Sequence, residues 1–172
     1  MLKTIKYLEV LDSKDHQNKV QFLQGISRIL EKFDKKALLK KVMPLLLDQM
    51  TKVIQLSVNV LPSILEVMER QNFLTTTEFR ETIWPSVQKL CKAKELPAQS
   101  LFLILKNTEL FMKFVGPQEF QQNFLILVNK SLECGVPKLQ FLALTKVPSI
   151  IKQIDYNTVK QSILPRILMI LE

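Results

Sequence analysis

Glycine is scarce in this chain, and its scarcity limits the nucleotide chemistry that the chain can support. Only 3 of the 172 residues are glycine, and Gly25, Gly116 and Gly135 lie far apart. Dinucleotide fingerprints and phosphate-binding loops need clustered glycines, because their backbone must approach a phosphate closely. Both kinds of nucleotide-binding motif are therefore excluded.

Metal-ligating side chains are also few. The chain has one histidine, His16, and two cysteines, Cys91 and Cys134, which are 43 residues apart. A structural zinc site needs about four such ligands, usually in closely spaced pairs. We therefore predict no metal and no cofactor. We expect both thiols to be reduced and buried as small apolar side chains, because structural disulfides are rare in a reducing compartment.

Long uncharged runs are missing. The longest, from Val53 to Leu65, has 13 residues, whereas a membrane-spanning helix needs about 20. The first residues form an amphipathic pattern without a small-residue cleavage site, so they resemble neither a signal peptide nor a transit peptide. The sequence therefore predicts a cytoplasmic protein without a transmembrane segment.

Groups that would indicate catalysis or nucleic acid binding are sparse. The acidic residues are scattered, and the single histidine offers no serine–histidine arrangement. Only four of the 24 basic residues are arginines, and no cluster interleaves basic with aromatic residues as nucleic acid-binding surfaces do. We predict a protein that is not an enzyme and does not bind nucleic acid.

Apolar residues, by contrast, recur at steps of three and four almost throughout, as in Leu38, Val42 and Leu45. This is the helical period, and sustained alternation at period two is absent. The sequence predicts an all-α protein. Thr51 is expected to cap the fourth helix, and Gly116 and Gly135 are expected to allow left-handed helix ends. The nine predicted helices cover approximately residues 2–12, 17–33, 37–50, 52–70, 77–94, 97–115, 118–134, 138–154 and 158–172.

Proline-containing segments repeat along the chain at an interval close to 40 residues. An apolar-x-Pro-x-apolar pattern surrounds Pro44, Pro85 and Pro165, and Ile126 takes the place of proline 41 residues after Pro85. A second series places Pro62 and Pro148 in matching segments 86 residues apart. Two interleaved series of this kind indicate a repeating unit of two helices.

A proline inside a helix removes a hydrogen bond and clashes with the preceding turn, which costs about 3 kcal/mol or more. The apolar period continues through each proline, which indicates kinked helices that bend around their neighbours. The alternative is that each proline marks a helix boundary.

The two-helix unit, with Pro62 and Pro148 in its first helix and Asp34 and Asp155 near its turn, resembles the HEAT repeat. The resemblance implies a right-handed α-solenoid of about four HEAT-like hairpins after a leading helix, within a single domain of residues 1–172. The expected units cover approximately residues 17–50, 52–94, 97–134 and 137–172.

Four segments in particular resemble the HEAT region of Scy-like pseudokinases, most of all the clathrin-coated-vesicle-associated branch. They are Phe22-Leu23-Gln24-Gly25-Ile26, Lys41-Val42-Met43-Pro44-Leu45-Leu46, Ile154-Asp155-Tyr156 and Leu164-Pro165-Arg166-Ile167. That family implies a non-catalytic protein-interaction scaffold in vesicle trafficking, with clathrin and its adaptors as partners and a peripheral place on Golgi or endosomal vesicles. The alternative is a regulatory or structural HEAT-repeat subunit of an unrelated assembly. The family's kinase-like domain and polar tail are absent, so we expect either a segment of a longer protein or a small protein of repeats alone.

The net charge of +8 suggests a basic surface for acidic peptides or anionic lipid headgroups. The alternative is a solvated lysine-rich surface that maintains solubility. Trp84 lies at helical spacing from Val87 and Cys91, so we expect it in the core. The candidate basic residues are Lys35, Lys36, Lys40, Lys41, Lys89, Lys92 and Lys94.

The last predicted helix is apolar on more than one side. A solenoid needs polar outer faces at its ends, because each repeat is stabilised by its neighbours. We expect this helix to pack against further repeats or another chain, and we expect the free 172-residue chain to self-associate.

Overall fold

In the computed structural model, which describes residues 2–152 and 154–171, all regular secondary structure is helical. This confirms the all-α prediction. The α-helices within these ranges are α1 Leu2–Glu9, α2 His16–Ile26, α3 Lys35–Ala37, α4 Met43–Lys52, α5 Ser57–Glu69, α6 Thr76–Thr82, α7 Trp84–Lys92, α8 Ala98–Lys106, α9 Thr108–Met112, α10 Pro117–Glu133, α11 Pro137–Ile151, α12 Tyr156–Thr158 and α13 Leu164–Leu171. Short 3₁₀ segments cover Leu11–Ser13, Ser27–Lys32 and Ile54–Leu56, and π-helical segments cover Leu38–Val42 and Val159–Ile163.

Two predicted helix signals are wrong. Thr51 does not cap a helix, because α4 continues to Lys52 and the break comes at Val53, where the backbone is extended. The Thr51 hydroxyl instead donates to the Asp48 carbonyl within α4. Gly116 is also extended, with φ −64°, whereas Gly135 has the left-handed φ of 68° that was expected after α10.

Four residues begin the second helices of the predicted hairpins. Asp34 and Asp155 each accept a hydrogen bond from the backbone N–H three residues later. Thr75 forms a reciprocal capping box with Glu78. Gly116 precedes Pro117 at the first turn of α10. These caps satisfy amide groups that a helix leaves free at its start.

The residue ten positions after each of these four caps is proline in three hairpins and Ile126 in the other. Pro44 and Pro165 are each the second residue of the α-helix that follows a π-helical segment, and Pro85 is the second residue after an interruption at Ile83. At Ile126 the helix is continuous from Pro117 to Glu133. In these second helices the interruption thus accompanies the proline, which cannot form the regular backbone hydrogen bond.

The prolines of the other series lie inside helices without such a break. Pro62 is within α5 and Pro148 is within α11. The helical pattern therefore continues through these prolines, as the sequence analysis favoured.

The chain forms two units, Met1–Leu90 and Cys91–Glu172. In the first unit, α5 packs against α2 and α4. In the second unit, α8 packs against α11, α10 packs against α13, and α10 and α11 pack against each other. The first helices of successive hairpins thus contact each other, and so do the second helices. Stacked hairpins require this arrangement. The right-handed sense of the solenoid and its division into four hairpin units stay predictions.

Each unit buries aromatic side chains. In the first unit, Trp84 is 3% exposed and lies 6.0 Å from Phe79 between ring centroids, which confirms its predicted core position. In the second unit, Phe124 stacks on Phe120 at 4.2 Å and contacts Phe111 at 5.6 Å.

Candidate interaction surface

The Lys35 side chain contacts other residues of the first unit. Its Nζ lies 2.8 Å from Glu78 Oε2 and 5.8 Å from the centre of the Phe73 ring. The Glu78 carboxylate also accepts from the Thr75 N–H at 2.9 Å. The hydrogen bond from Lys35 and then that from Thr75 lower the pKa of Glu78 to about 2. Lys35 therefore connects α3 to the start of α6, and it is not a free cation.

Lys36, Lys40 and Lys41 form the free part of the candidate surface, and we call them the lysine strip. All three are exposed, and no ion pair to them is found within residues 2–152 and 154–171. Lys36 and Lys40 lie four residues apart, and Lys41 follows Lys40 in the π-helical segment Leu38–Val42; Leu39 and Val42, on either side of that pair, are buried. Lys36 also lies in the first turn after the cap Asp34, where the backbone dipole is positive.

The remaining candidates lie on or just after another helix. Lys89 is exposed on α7 in the first unit. Lys92 and Lys94 are exposed near the start of the second unit. Four of the seven predicted lysines thus lie in one helical stretch, residues 35–41, where Lys35 is paired with Glu78.

A lysine that the sequence analysis did not single out has a structural role. The Lys130 ammonium donates to the carbonyls of Cys91 at 3.0 Å and Ala93 at 2.5 Å, where α7 ends. Burial lowers the pKa of Lys130. Lys130 lies fourteen residues after the cap Gly116, and Lys89 lies fourteen after Thr75, so the repeat register could have drawn attention to this position.

The two cysteines have different environments. Cys91 is buried, as predicted, and burial raises the pKa of its thiol to about 12. Cys134 is exposed, so the prediction that it is buried is wrong. It follows the last residue of α10, where its Sγ accepts from the Val136 N–H at 3.4 Å. Both thiols are free.

A groove in the described part of the second unit is partly polar. It has a volume of about 430 Å³ and is lined by Leu132, Glu133, Gln140, Arg166, Met169 and Ile170. Glu133 and Arg166 form an ion pair at 2.6 Å, and Gln140 donates to the Leu132 carbonyl. These polar groups satisfy one another, so the groove presents little unpaired charge to a ligand.

Neither a metal-binding cluster nor a membrane-spanning helix occurs among the residues that the structure describes. His16, the first residue of α2, is exposed, and no group of three metal-ligating side chains is found. None of the described helices combines the length and apolar character needed to cross a bilayer.

Comparisons with known proteins give relatives of one kind. No protein-family model matches the chain. The chain is 28% identical to human SCY1-like protein 2 over 164 residues, which is 95% of this chain and 17% of that protein, and the values for the mouse protein are the same. It is 24% identical over 175 residues to the protein kinase-like protein SCY1 of Saccharomyces cerevisiae, covering 96% of this chain and 22% of that protein.

These relatives match almost the whole of this chain, while the chain spans less than a quarter of the length of each. The resemblance predicted from the sequence runs from about Gln21 to Leu171 and is strongest in four short segments, and the alignments cover 95–96% of the chain. The chain is therefore homologous to a region of the Scy-like pseudokinases, as its sequence predicted.

Proposed function

We propose that the chain is a non-catalytic scaffold that binds other proteins in clathrin-linked membrane trafficking. The lysine strip supports the binding role most directly. Lys36, Lys40 and Lys41 are exposed and free of ion pairs within the described residues, on a helix whose other side is buried in the first unit. A rigid helix that presents aligned cations suits recognition of an acidic segment of a partner.

An acidic protein segment fits the strip better than a lipid surface does. Lipid-binding basic clusters usually contain four to eight lysines or arginines on one face. Here Lys35, the fourth lysine of the cluster, is held by Glu78 at 2.8 Å. Three aligned charges match a short acidic stretch of polypeptide, and any membrane contact is then peripheral.

The trafficking part of the proposal is supported by the resemblance to the Scy-like family. Clathrin or its adaptors are the expected partners, and the expected location is the cytoplasmic surface of Golgi or endosomal vesicles. No catalytic role is assigned to any residue of the chain.

Direct binding to purified clathrin and adaptor complexes tests the proposal. The variant Lys36→Glu/Lys40→Glu/Lys41→Glu reverses the charge of the lysine strip. The matched control, Lys106→Glu/Lys113→Glu/Lys152→Glu, changes the net charge equally through three exposed lysines of the second unit. We expect the wild type and the control to bind at least one of these complexes and the strip variant to bind at least tenfold more weakly.

The binding should also weaken as salt is added, because exposed charges are screened within about 8 Å at physiological ionic strength. Equal losses of affinity in the strip variant and the control would show that only the total charge matters. The lysine strip would then not be the binding site. Failure of the wild type to bind any of these complexes would contradict the assignment to clathrin-linked traffic.

A further inference from the structure

A second groove of the second unit lies between two neighbouring first helices, at the point where both helices begin. It has a volume of about 270 Å³. Its walls come from the first two turns of α8 and from the start of α11, which pack against each other. We call it the apolar groove. The lining residues are Ala98, Gln99, Phe102, Val136, Lys138 and Leu139.

The floor of the apolar groove is formed by carbon side chains. Ala98 and Phe102 are four residues apart on α8, so they lie on one face of that helix. Opposite them, Leu139 is 2% exposed, whereas Val136 is 40% exposed. The groove therefore reaches from solvent to the core of the unit, between two helices that already contact each other.

Lys138 is the one charged side chain that lines this groove in the part of the chain that the structure describes. It is exposed, and no ion pair to it is found in that part of the chain. Eight residues later on α11, Lys146 lies 2.7 Å from Glu109 of α9. The α8 side chains at the groove are uncharged, so a carboxylate that pairs with Lys138 would come from a ligand.

The acidic side chains that are close in sequence lie elsewhere. Glu133 pairs with Arg166 at 2.6 Å, and Glu95 lines a separate groove with Lys94 and Lys130. The positive ends of the α8 and α11 dipoles add to the charge of the groove lysine. An apolar floor with a cationic rim complements an apolar side chain that stands next to a carboxylate.

The size of the groove and its polar lining favour a peptide as the occupant. Pockets for drug-sized ligands have about 300–1,000 Å³, so the apolar groove suits one side chain better than a whole small molecule. Gln99 is exposed, and no hydrogen bond from its side chain is found among the described residues. Its amide can donate to and accept from a peptide backbone, whereas the chain of a fatty acid offers neither group.

We propose that the apolar groove binds a short segment of a partner protein through one aromatic side chain that is followed by an acidic residue. The aromatic ring packs against Phe102 and Leu139, because rings pack favourably on other rings. The carboxylate pairs with Lys138. This site is separate from the lysine strip and does not rest on the proposed role in clathrin-linked traffic.

Nuclear magnetic resonance titration of the full chain with defined peptides tests the site. The probe is the peptide Gly-Ser-Phe-Asp-Ser-Gly with both ends capped, and two matched peptides replace its phenylalanine by alanine or its aspartate by asparagine. We expect the probe to cause saturable shifts in the backbone amides of Phe102 and Leu139. The alanine peptide should bind about tenfold more weakly and the asparagine peptide about threefold more weakly.

A charge reversal tests the role of the lysine. Lys138→Glu should bind the aspartate probe about fivefold more weakly than the wild type does, and it should bind the asparagine peptide equally well. Lys106→Glu is the matched control, since Lys106 is an exposed lysine at the other end of α8. The control should bind all three peptides as the wild type does. Unchanged amide spectra away from the groove would show that both variants are folded.

Three results would overturn the proposal. They are the absence of saturable shifts at these amides, equal binding of the phenylalanine and alanine peptides, and equal losses in the two lysine variants. Octanoate that shifts these amides when the peptide does not would instead indicate a fatty-acid site, which also overturns it. A failure of the clathrin and adaptor experiments would leave these results unchanged, because the probes contain no part of those proteins.

Discussion

Single polar side chains satisfy the backbone at helix ends in this protein. Lys130 does so across helices, since its ammonium reaches two carbonyls where α7 ends. The corresponding position in the last hairpin is Met169, fourteen residues after Asp155. There the carbonyl of Leu132 is satisfied by Gln140 instead. The repeat therefore keeps the helix register while different side chains satisfy the helix ends.

Lys130→Met should destabilise the protein measurably. The substitution keeps most of the apolar stem but leaves the carbonyls of Cys91 and Ala93 without this donor, and an unsatisfied buried group costs about 1–3 kcal/mol. Chemical denaturation measures the change in the free energy of unfolding. Lys138→Met, at an exposed lysine, is the control and should lie within about 0.5 kcal/mol of wild type. Equal effects of the two substitutions would argue against the capping role.

Glu78 should make stability depend on pH. Its pKa is lowered to about 2 in the folded protein, chiefly by Lys35, whereas an unfolded glutamate titrates near 4.3. Its ionised form therefore stabilises the fold above about pH 4.3, and this contribution disappears as the pH falls toward 2.

The measurement is the free energy of unfolding of wild type and Glu78→Gln between pH 7 and pH 2. We expect the wild type to be more stable at pH 7 and the difference to vanish at the acid end. Parallel pH profiles for the two proteins would contradict the proposed role of the Lys35–Glu78 pair.

At the scale of the helix, the relation between cap and proline defines the repeat. Asp34 and Pro44 are separated by ten residues, as are Asp155 and Pro165, and a π-helical segment lies between the members of each pair. The helix that carries Ile126 at this register is regular. Among the four second helices, the three that carry proline at this register are interrupted before it, and α10, which carries Ile126, is not.

Ile126→Pro should therefore be costly. α10 has no widened turn to accept the ring, so we expect a loss of about 3 kcal/mol in the free energy of unfolding. Ile126→Ala is the control for loss of the side chain, which is only partly buried. A proline variant no less stable than the alanine variant would show that α10 accommodates the ring without cost, against this account.

Helix positions could be predicted from sequence because apolar periodicity, prolines and polar caps all leave local signals. The π-helical segments could not be predicted in the same way, because a proline alone does not specify them. Pro44 and Pro165 lie two residues after such a segment, whereas Pro62 and Pro148 lie inside α-helices without one. Thr51 was a misleading signal, since a threonine can hydrogen-bond inside the last turn of a helix as readily as it can cap a new one.

The candidate surface was predictable only in part. A list of lysines cannot show that Lys35 is bound to Glu78, since the two residues are 43 positions apart and meet only through folding. Nor could it show that Lys36, Lys40 and Lys41 are all exposed and without an ion pair in the described residues. The exposure of Cys134 likewise depends on where α10 ends and not on the character of cysteine.

At the scale of the whole molecule, each of the two units has its own core and its own uncovered surface. The lysine strip belongs to the first unit, and the exposed leucines of α13 belong to the second. Their chemistries differ, since one surface is cationic and the other is apolar, so a substitution in one should leave the other unchanged.

The central claim is that the chain acts by binding proteins of clathrin-linked traffic. Affinity purification of the tagged chain from its native cells, with mass spectrometry of what co-purifies, tests it most directly. We predict clathrin or adaptor subunits with the wild type and with Leu168→Glu, and their loss with Lys36→Glu/Lys40→Glu/Lys41→Glu. Reproducible recovery of an unrelated assembly, without clathrin or adaptors, would contradict the claim.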